Sequence, residues 1–234
     1  LDPAMNPLEQ AVRDLAEMEL FFTPGEGWSY SSYGYSALGA IIADVTGKPF
    51  ERYMAEAWLA PLGMTQSTFV TADVDPIARM TGYASDDAGK ATPTGVACDG
   101  RDASACTLWS NCEDMAKYAQ FLLNHGEVDG SALLQPATIE AMWTPASETG
   151  WAEGAGPWYG ATMAEYGMGW FLGEKDGHKL VGHAGGAEGF NAQIQLAPDD
   201  GLAVIAMDNW LDFESAPVFA ASDAATDILY LLLG

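Results

Sequence analysis

The stretch Pro24-Gly25-Glu26-Gly27-Trp28-Ser29-Tyr30-Ser31-Ser32-Tyr33-Gly34-Tyr35 sets phenols and hydroxyls side by side behind a Pro-Gly pair that opens a loop. A hydroxyl is a poor nucleophile and needs a base to remove its proton. A phenol of pKa about 10 is no base at neutral pH unless nearby positive charge stabilises the phenolate. Far along the chain, Gly182-His183-Ala184-Gly185-Gly186 places an imidazole among glycines inside a strand pattern. Such glycines leave a strand edge bare enough for another backbone to approach. Taken singly, these residues have plain structural readings. Tyr30 would be a capped core tyrosine, Ser32 a loop residue capping the helix that follows, and His183 a strand histidine satisfied by its neighbours. His125 and His178 read as ordinary surface residues. The Cys and His spacings fit no metal site, and no cofactor is expected.

The elements around these residues follow from periodicity and stop signals. Asn6-Pro7-Leu8-Glu9 starts a helix, with Asn as N-cap and Glu at the capping-box position, and predicts Leu8, Val12, Leu15 and Ala16 on its inner face. A second helix is predicted from about Tyr33 to Val45, with Leu38, Ile41, Ile42 and Val45 inward and Gly47 as its stop. A third follows Pro49, using Phe50, Tyr53 and Met54. Residues 60–108 read as loop and short strand. Ser110-Asn111-Cys112-Glu113 is a capping box for a helix burying Met115, Tyr118, Ala119 and Leu122, closed by Gly126. Pro136 begins another, ending near Trp143. The period then shortens. Tyr166–Leu172, His178–His183, Phe190–Leu196 and Leu202–Met207 read as strands, the last two joined by the turn Pro198-Asp199-Asp200-Gly201. A last helix is expected from about Ser215 to Leu233. This is an α+β layering, an antiparallel β-sheet flanked by helices plus a helical region. The expected division is a mostly helical region over 1–165 and a strand-and-helix part over 166–234.

Five short motifs in order carry a family resemblance. The Tyr30-Ser31-Ser32 loop resembles the Tyr-x-Asn element of the serine β-lactamase and penicillin-binding-protein superfamily. Pro61-Leu62-Gly63-Met64-Thr65 looks like that family's Pro-Leu-Gly-Met turn, and Trp109-Ser110-Asn111-Cys112-Glu113-Asp114-Met115 like its Ser-x-x-x-Asp-Met helix start. Tyr166-Gly167-Met168-Gly169-Trp170 follows. Gly182-His183-Ala184-Gly185-Gly186 is similar to the His-x-Gly variant of the Lys-Thr-Gly strand. Together the motifs span nearly the whole chain. The resemblance implies a serine hydrolase working through an acyl-enzyme, on an ester, an amide or a peptide with D-residues. It casts Tyr30 as general base for acylation and then as proton donor to the leaving group. Ser32 stands where the family has Asn and offers one donor in place of two, which implies weaker substrate orientation. His183 stands where lysine is more common and holds a substrate carboxylate poorly when neutral, which disfavours carboxylate-bearing β-lactams. Gly185 and Gly186 bare the strand, with Gly186 as one oxyanion-hole N–H. In the family, the aromatic stretch of Trp143, Trp151, Trp158, Tyr159, Tyr166 and Trp170 borders the substrate entrance. Aromatic packing and a partner surface are the other readings of it.

One part of the family pattern is missing from this chain. No serine has a lysine three residues on, and no Gly-x-Ser-x-Gly occurs. The nucleophile is therefore expected on an upstream segment of the same protein, which would also complete the fold. The alternative is a catalytically inactive binding protein that retains the groove. Leu1 does not read as a native start.

Composition narrows the partners. The chain holds 33 acidic against 9 basic residues, a net charge of −24, and only five of the basic residues are lysine. Such a surface cannot neutralise phosphates, which excludes nucleic acid and anionic membrane. It fits simple solubility and equally a halophilic protein, because salt screens the self-repulsion. No apolar run is long enough to span a membrane. Three cysteines leave one unpaired, and Cys98 and Cys106 flank a short polar loop where a disulfide is plausible in an exported protein, secreted or periplasmic; three reduced thiols are the other reading.

Overall fold

The computed structural model describes residues 6–75, 77–86, 89–95, 98, 100–150, 164–187, 189–211 and 220–234. The chain forms two compact units, residues 1–79 with 96–114 and residues 80–95 with 115–234.

The first unit is built on helices. Helix α1 (Pro7–Ala16) is capped by Asn6, whose side chain accepts from Leu8 N. Glu9 pairs with Arg13 at 3.0 Å, one turn along. Its buried residues are Leu8 and Ala11, while Val12 is 37% exposed, so the inner face lies to one side of the expected stripe. Helix α2 (Ser32–Thr46) runs to a left-handed Gly47 with φ of 64°. It buries Ser36 and Gly39, the small residues, rather than the apolar stripe expected to face inward. Of that stripe Ile42 is half-buried, and Leu38, Ile41 and Val45 are 51%, 56% and 82% exposed. Helix α3 (Phe50–Met54) continues through a π-turn over Ala55–Leu59. Helix α4 (Ala103–Cys106) packs on α2 so closely that a Cβ on Gly39 would lie 2.2 Å from Ser104 Oγ. Leu8, Phe50 and Ala103 form the core, with Ala40, Ile42, Met54 and Phe69 against them.

The second unit is a sheet with helices. Strands β1 (Tyr83–Ser85) and β2 (Ala91–Pro93) make a small hairpin. Helix α5 (Cys112–Leu123), whose first turn belongs to the first unit, is followed by the two-residue strands β3 (Glu127–Val128) and β4 (Ser131–Ala132) and by α6 (Pro136–Met142). The main sheet holds β5 (Ser147–Glu148), β6 (Glu165–Tyr166), β7 (Phe171–Lys175), β8 (His178–Ala187), β9 (Phe190–Ala197) and β10 (Leu202–Asp208), in the spatial order β10-β9-β8-β7-β6-β5 and antiparallel throughout. The strand expected over Tyr166–Leu172 is two strands folded at Gly167–Trp170, where Gly167 N donates to Trp170 O and Met168 N to Met142 O. The β9–β10 hairpin turns at Pro198–Gly201 as expected, with Leu202 facing Ala197. Helix α7 covers Ala220–Leu233; the expected start at Ser215 lies outside the described residues. Leu180, Val181, Leu196 and Leu229 are fully buried at the centre of this unit. The fold is thus α+β, with one antiparallel sheet and flanking helices.

Candidate active site

Tyr30 ends the loop that launches α2. Ser31, not Ser32, is the N-cap: its Oγ accepts from Gly34 N at 3.0 Å. Ser32 is the first helical residue, exposed, and its carbonyl accepts from Ser36 Oγ at 3.2 Å. The Tyr30 side chain is 52% exposed. Its partial burial, and secondly the Tyr35 phenol, raise its pKa. The surroundings within this chain therefore hold Tyr30 as a neutral phenol, the opposite of what a base requires.

Two of the remaining motifs meet in one joint of the first unit. In Pro61–Thr65, Leu62 and Met64 are buried and Met64 N donates to Leu59 O at 2.8 Å. Asp114, fully buried, accepts from Gln66 N and Ser67 Oγ, both at 2.8 Å. Asn111 rather than Ser110 caps α5, its Oδ1 accepting from Asp114 N at 2.9 Å. The turn and the helix start are two halves of one buried hydrogen-bonded contact, which gives both motifs a structural role. Cys98 and Cys106 are joined in a disulfide, and Cys112 is an exposed free thiol.

His183, Gly185 and Gly186 lie together on β8 in the second unit. The pairing of β8 with β7 ends at Phe171↔Gly182, whereas its pairing with β9 continues to Ala187↔Phe190. From His183 onward the strand is therefore flanked on one side only, and Gly185 and Gly186 are exposed. A Cβ on Gly185 would meet nothing within 4 Å. On Gly182 it would lie 2.9 Å from both Gln195 Oε1 and Ile194 O. The glycine at the closed end admits buried amides, and the glycines at the open end leave backbone bare.

The His183 ring is fixed at both nitrogens. Nδ1 lies 2.5 Å from Ala184 O, and since a carbonyl only accepts, this nitrogen carries the proton. Nε2 then accepts from Tyr166 Oη at 3.3 Å. Burial lowers the pKa of His183, outweighing the Ala184 carbonyl, which acts to raise it. The ring also lies 5.3 Å from Phe171, and Tyr166 meets Phe171 edge-on at 4.7 Å. His183 is thus a neutral imidazole in an aromatic setting at neutral pH.

A matching resemblance now stands beside this geometry: residues 1–226 match the family described as Beta-lactamase. The chain belongs to the beta-lactamase family. It is 28% identical over 214 residues to Protein flp of Staphylococcus aureus (strain MW2), covering 91% of this chain and 39% of that protein. In structure it is similar to the octameric penicillin-binding protein homologue from Pyrococcus abyssi, with TM-score 0.79 and 27% identity over 100% of this chain and 49% of that one. It shares its fold with the D-amino acid amidase from Ochrobactrum anthropi SV3, with TM-score 0.73 and 23% identity over 100% of this chain and 65% of that one. The chain spans about two-fifths of the length of the curated relatives it matches.

Sequence reasoning missed the polar stripe of β9. Asn191, Gln193 and Gln195 alternate along it and are each 1% exposed. Alternation in an antiparallel strand suggests a solvent face, but these side chains are buried opposite the small residues Gly186, Ala184 and Gly182 of β8. The signal was the run of small residues in the neighbouring strand. Among the aromatics, Tyr166 and Trp170 are buried, and Trp170 stacks on Tyr118 at 6.4 Å. Trp151, Trp158 and Tyr159 lie outside the described residues. Outside the motifs, His178 is tied to Asp200 at 2.9 Å, holding the start of β8 to the β9–β10 turn. Among the described residues no cluster of His, Cys, Asp and Glu could hold a metal ion, and no helix is long and apolar enough to cross a membrane.

Proposed function

We propose that the protein carrying this chain is a serine hydrolase that forms an acyl-enzyme, with its nucleophile in Ser-x-x-Lys on a segment preceding residue 1. The observation that carries this reading is the one-sided end of β8, an exposed Gly185–Gly186 backbone beside a neutral His183. Two apolar surfaces support the preceding segment. One is the exposed stripe Leu38, Ile41 and Val45 on α2. The other is β10, an outer strand rich in Val, Ile, Leu and Met whose residues are all half-buried. An outer strand of that composition needs a covering element.

In this reading the lysine ammonium of the preceding segment brings the Tyr30 phenol down to phenolate. Tyr30 takes the serine proton as the serine oxygen attacks the acyl carbon. The carbonyl oxygen becomes an oxyanion facing the Gly186 N–H. Collapse breaks the bond to the leaving group, which takes the proton from Tyr30. Water then attacks the acyl-serine, giving its proton to Tyr30, and the released serine oxygen takes that proton back. The neutral, half-buried His183 lacks the charge to hold a substrate carboxylate, so the substrate class is esters, amides and D-residue peptides rather than carboxylate-bearing β-lactams. Kinship of fold with a D-amino acid amidase agrees with an amide substrate.

A second reading, a binding protein that keeps the groove without catalysis, is favoured by one feature: partial burial and the Tyr35 phenol raise the pKa of Tyr30. The full-length protein, labelled with a fluorophosphonate and with a penicillin probe, decides. Modification of a Ser-x-x-Lys serine upstream of residue 1 is expected. Modification within residues 1–234 refutes the placement of the nucleophile, and no modification supports the binding reading.

A further inference from the structure

We propose that Asn191 is a positioning residue that aims and polarises the oxyanion-hole peptide. The role rests on the acyl-transfer reading above. Asn191 faces Gly186 in the β8–β9 register and is 1% exposed. Its Nδ2 donates to Gly185 O at 2.9 Å. The Gly185 carbonyl and the Gly186 N–H belong to the same peptide unit, and no cis peptide is present among the described residues. In a trans peptide the C=O and N–H point in opposite directions. Holding the carbonyl toward Asn191 therefore turns the Gly186 N–H away from it, to the side where β7 has already ended.

Three features point the same way. Gly185 and Gly186 have no side chains to fix their peptide plane, so its orientation depends on hydrogen bonds. A carbonyl that accepts a hydrogen bond makes the N–H of its own amide a stronger donor. Finally, the Asn191 Oδ1 is buried with no partner among the described residues. An orphaned buried acceptor costs stability, and a leucine of similar size would fill the place without one. What the leucine lacks is the donor to Gly185 O.

The test uses the full-length protein with Asn191→Leu and Asn191→Asp, read by the rate of fluorophosphonate labelling, by kcat and KM on a p-nitrophenyl ester, and by melting temperature. Asn191→Leu is expected to melt no lower than wild type, to label about tenfold slower, a fraction of the loss seen when an oxyanion donor is removed outright, and to lose kcat with KM little changed. Asn191→Asp is expected to recover rate relative to Asn191→Leu as pH falls, because only the protonated carboxyl donates to Gly185 O. An Asn191→Leu protein that labels as fast as a labelling wild type overturns the positioning role alone. A wild type that does not label at all overturns the acyl-transfer reading and this role with it. Should Asn191→Leu fail to fold, Asn191→Asp decides by itself, and a rate that does not rise toward acid relative to wild type overturns the role.

Discussion

The two regions that carry the candidate residues differ in completeness. Around β8 the proposed oxyanion side has its local geometry in place: an open strand edge, a tautomerically fixed His183, and buried amides behind the glycines. Around Tyr30 the scaffold is sound, since Ser31 caps α2 and Ser104 Oγ donates to Tyr35 O at 2.8 Å, but the chemistry is unfinished. Burial and a neighbouring phenol push Tyr30 away from the phenolate, and the apolar side of its helix faces outward. A sheet alone can present bare backbone, by strand length and side-chain size. A tyrosine base cannot be built from its own helix, because it depends on a charge brought by another element.

The sharpest break of this comparison is to leave out the preceding segment that the proposed function calls for. Residues 1–234 expressed alone are expected to aggregate or remain partly unfolded, whereas the full-length protein melts cooperatively; a soluble, cooperatively melting fragment would show that the exposed stripe needs no cover. Next in size is Gly186→Pro, which deletes the N–H assigned to the oxyanion. Turnover of the full-length enzyme should fall about 10²–10³-fold, and an unchanged kcat would detach β8 from the reaction. Tyr30→Phe should cost at least ~10²-fold in turnover, with unchanged turnover removing the base role. Ile41→Lys tests the cover more gently. An exposed position tolerates such a change within about 0.5 kcal/mol, but in the full-length protein a loss of about 1.5–3 kcal/mol in denaturant unfolding is expected if a segment buries it. The smallest effect is a pH dependence. Because the folded state lowers the pKa of His183, the unfolded imidazole takes up its proton first as pH falls below about 6.5. The stability present above that pH is lost progressively down through the folded value. His183→Gln should flatten this slope between pH 7.5 and 5 in denaturant titrations.

Much of the fold was legible because stop signals are local. Gly47 ends α2 where a left-handed residue is needed, and Pro198–Gly201 sets the β9–β10 register without help from distant residues. The orientation of helix faces was not legible. An apolar stripe at helical spacing does not say what packs on it, so Leu38, Ile41 and Val45 read as inward and are exposed. Caps slipped by one residue at both Ser110 and Ser32, since the adjacent Asn111 and Ser31 compete for the same N–H groups. Of the candidate site, the motif residues were visible as types, while Asn191 was hidden because polar alternation in a strand mimics a solvent face.

The bridge between Cys98 and Cys106 closes a loop with a sequence separation of only 8. In the chain-entropy picture so short a ring contributes about 2.5 kcal/mol, a modest sum spent on a single spot. Within that ring of sequence stands Ser104, the residue wedged against Gly39 of the tyrosine helix. Opening this bond with a thiol would therefore free the ring that carries this contact to the tyrosine helix, so the purification buffer should be kept free of thiols.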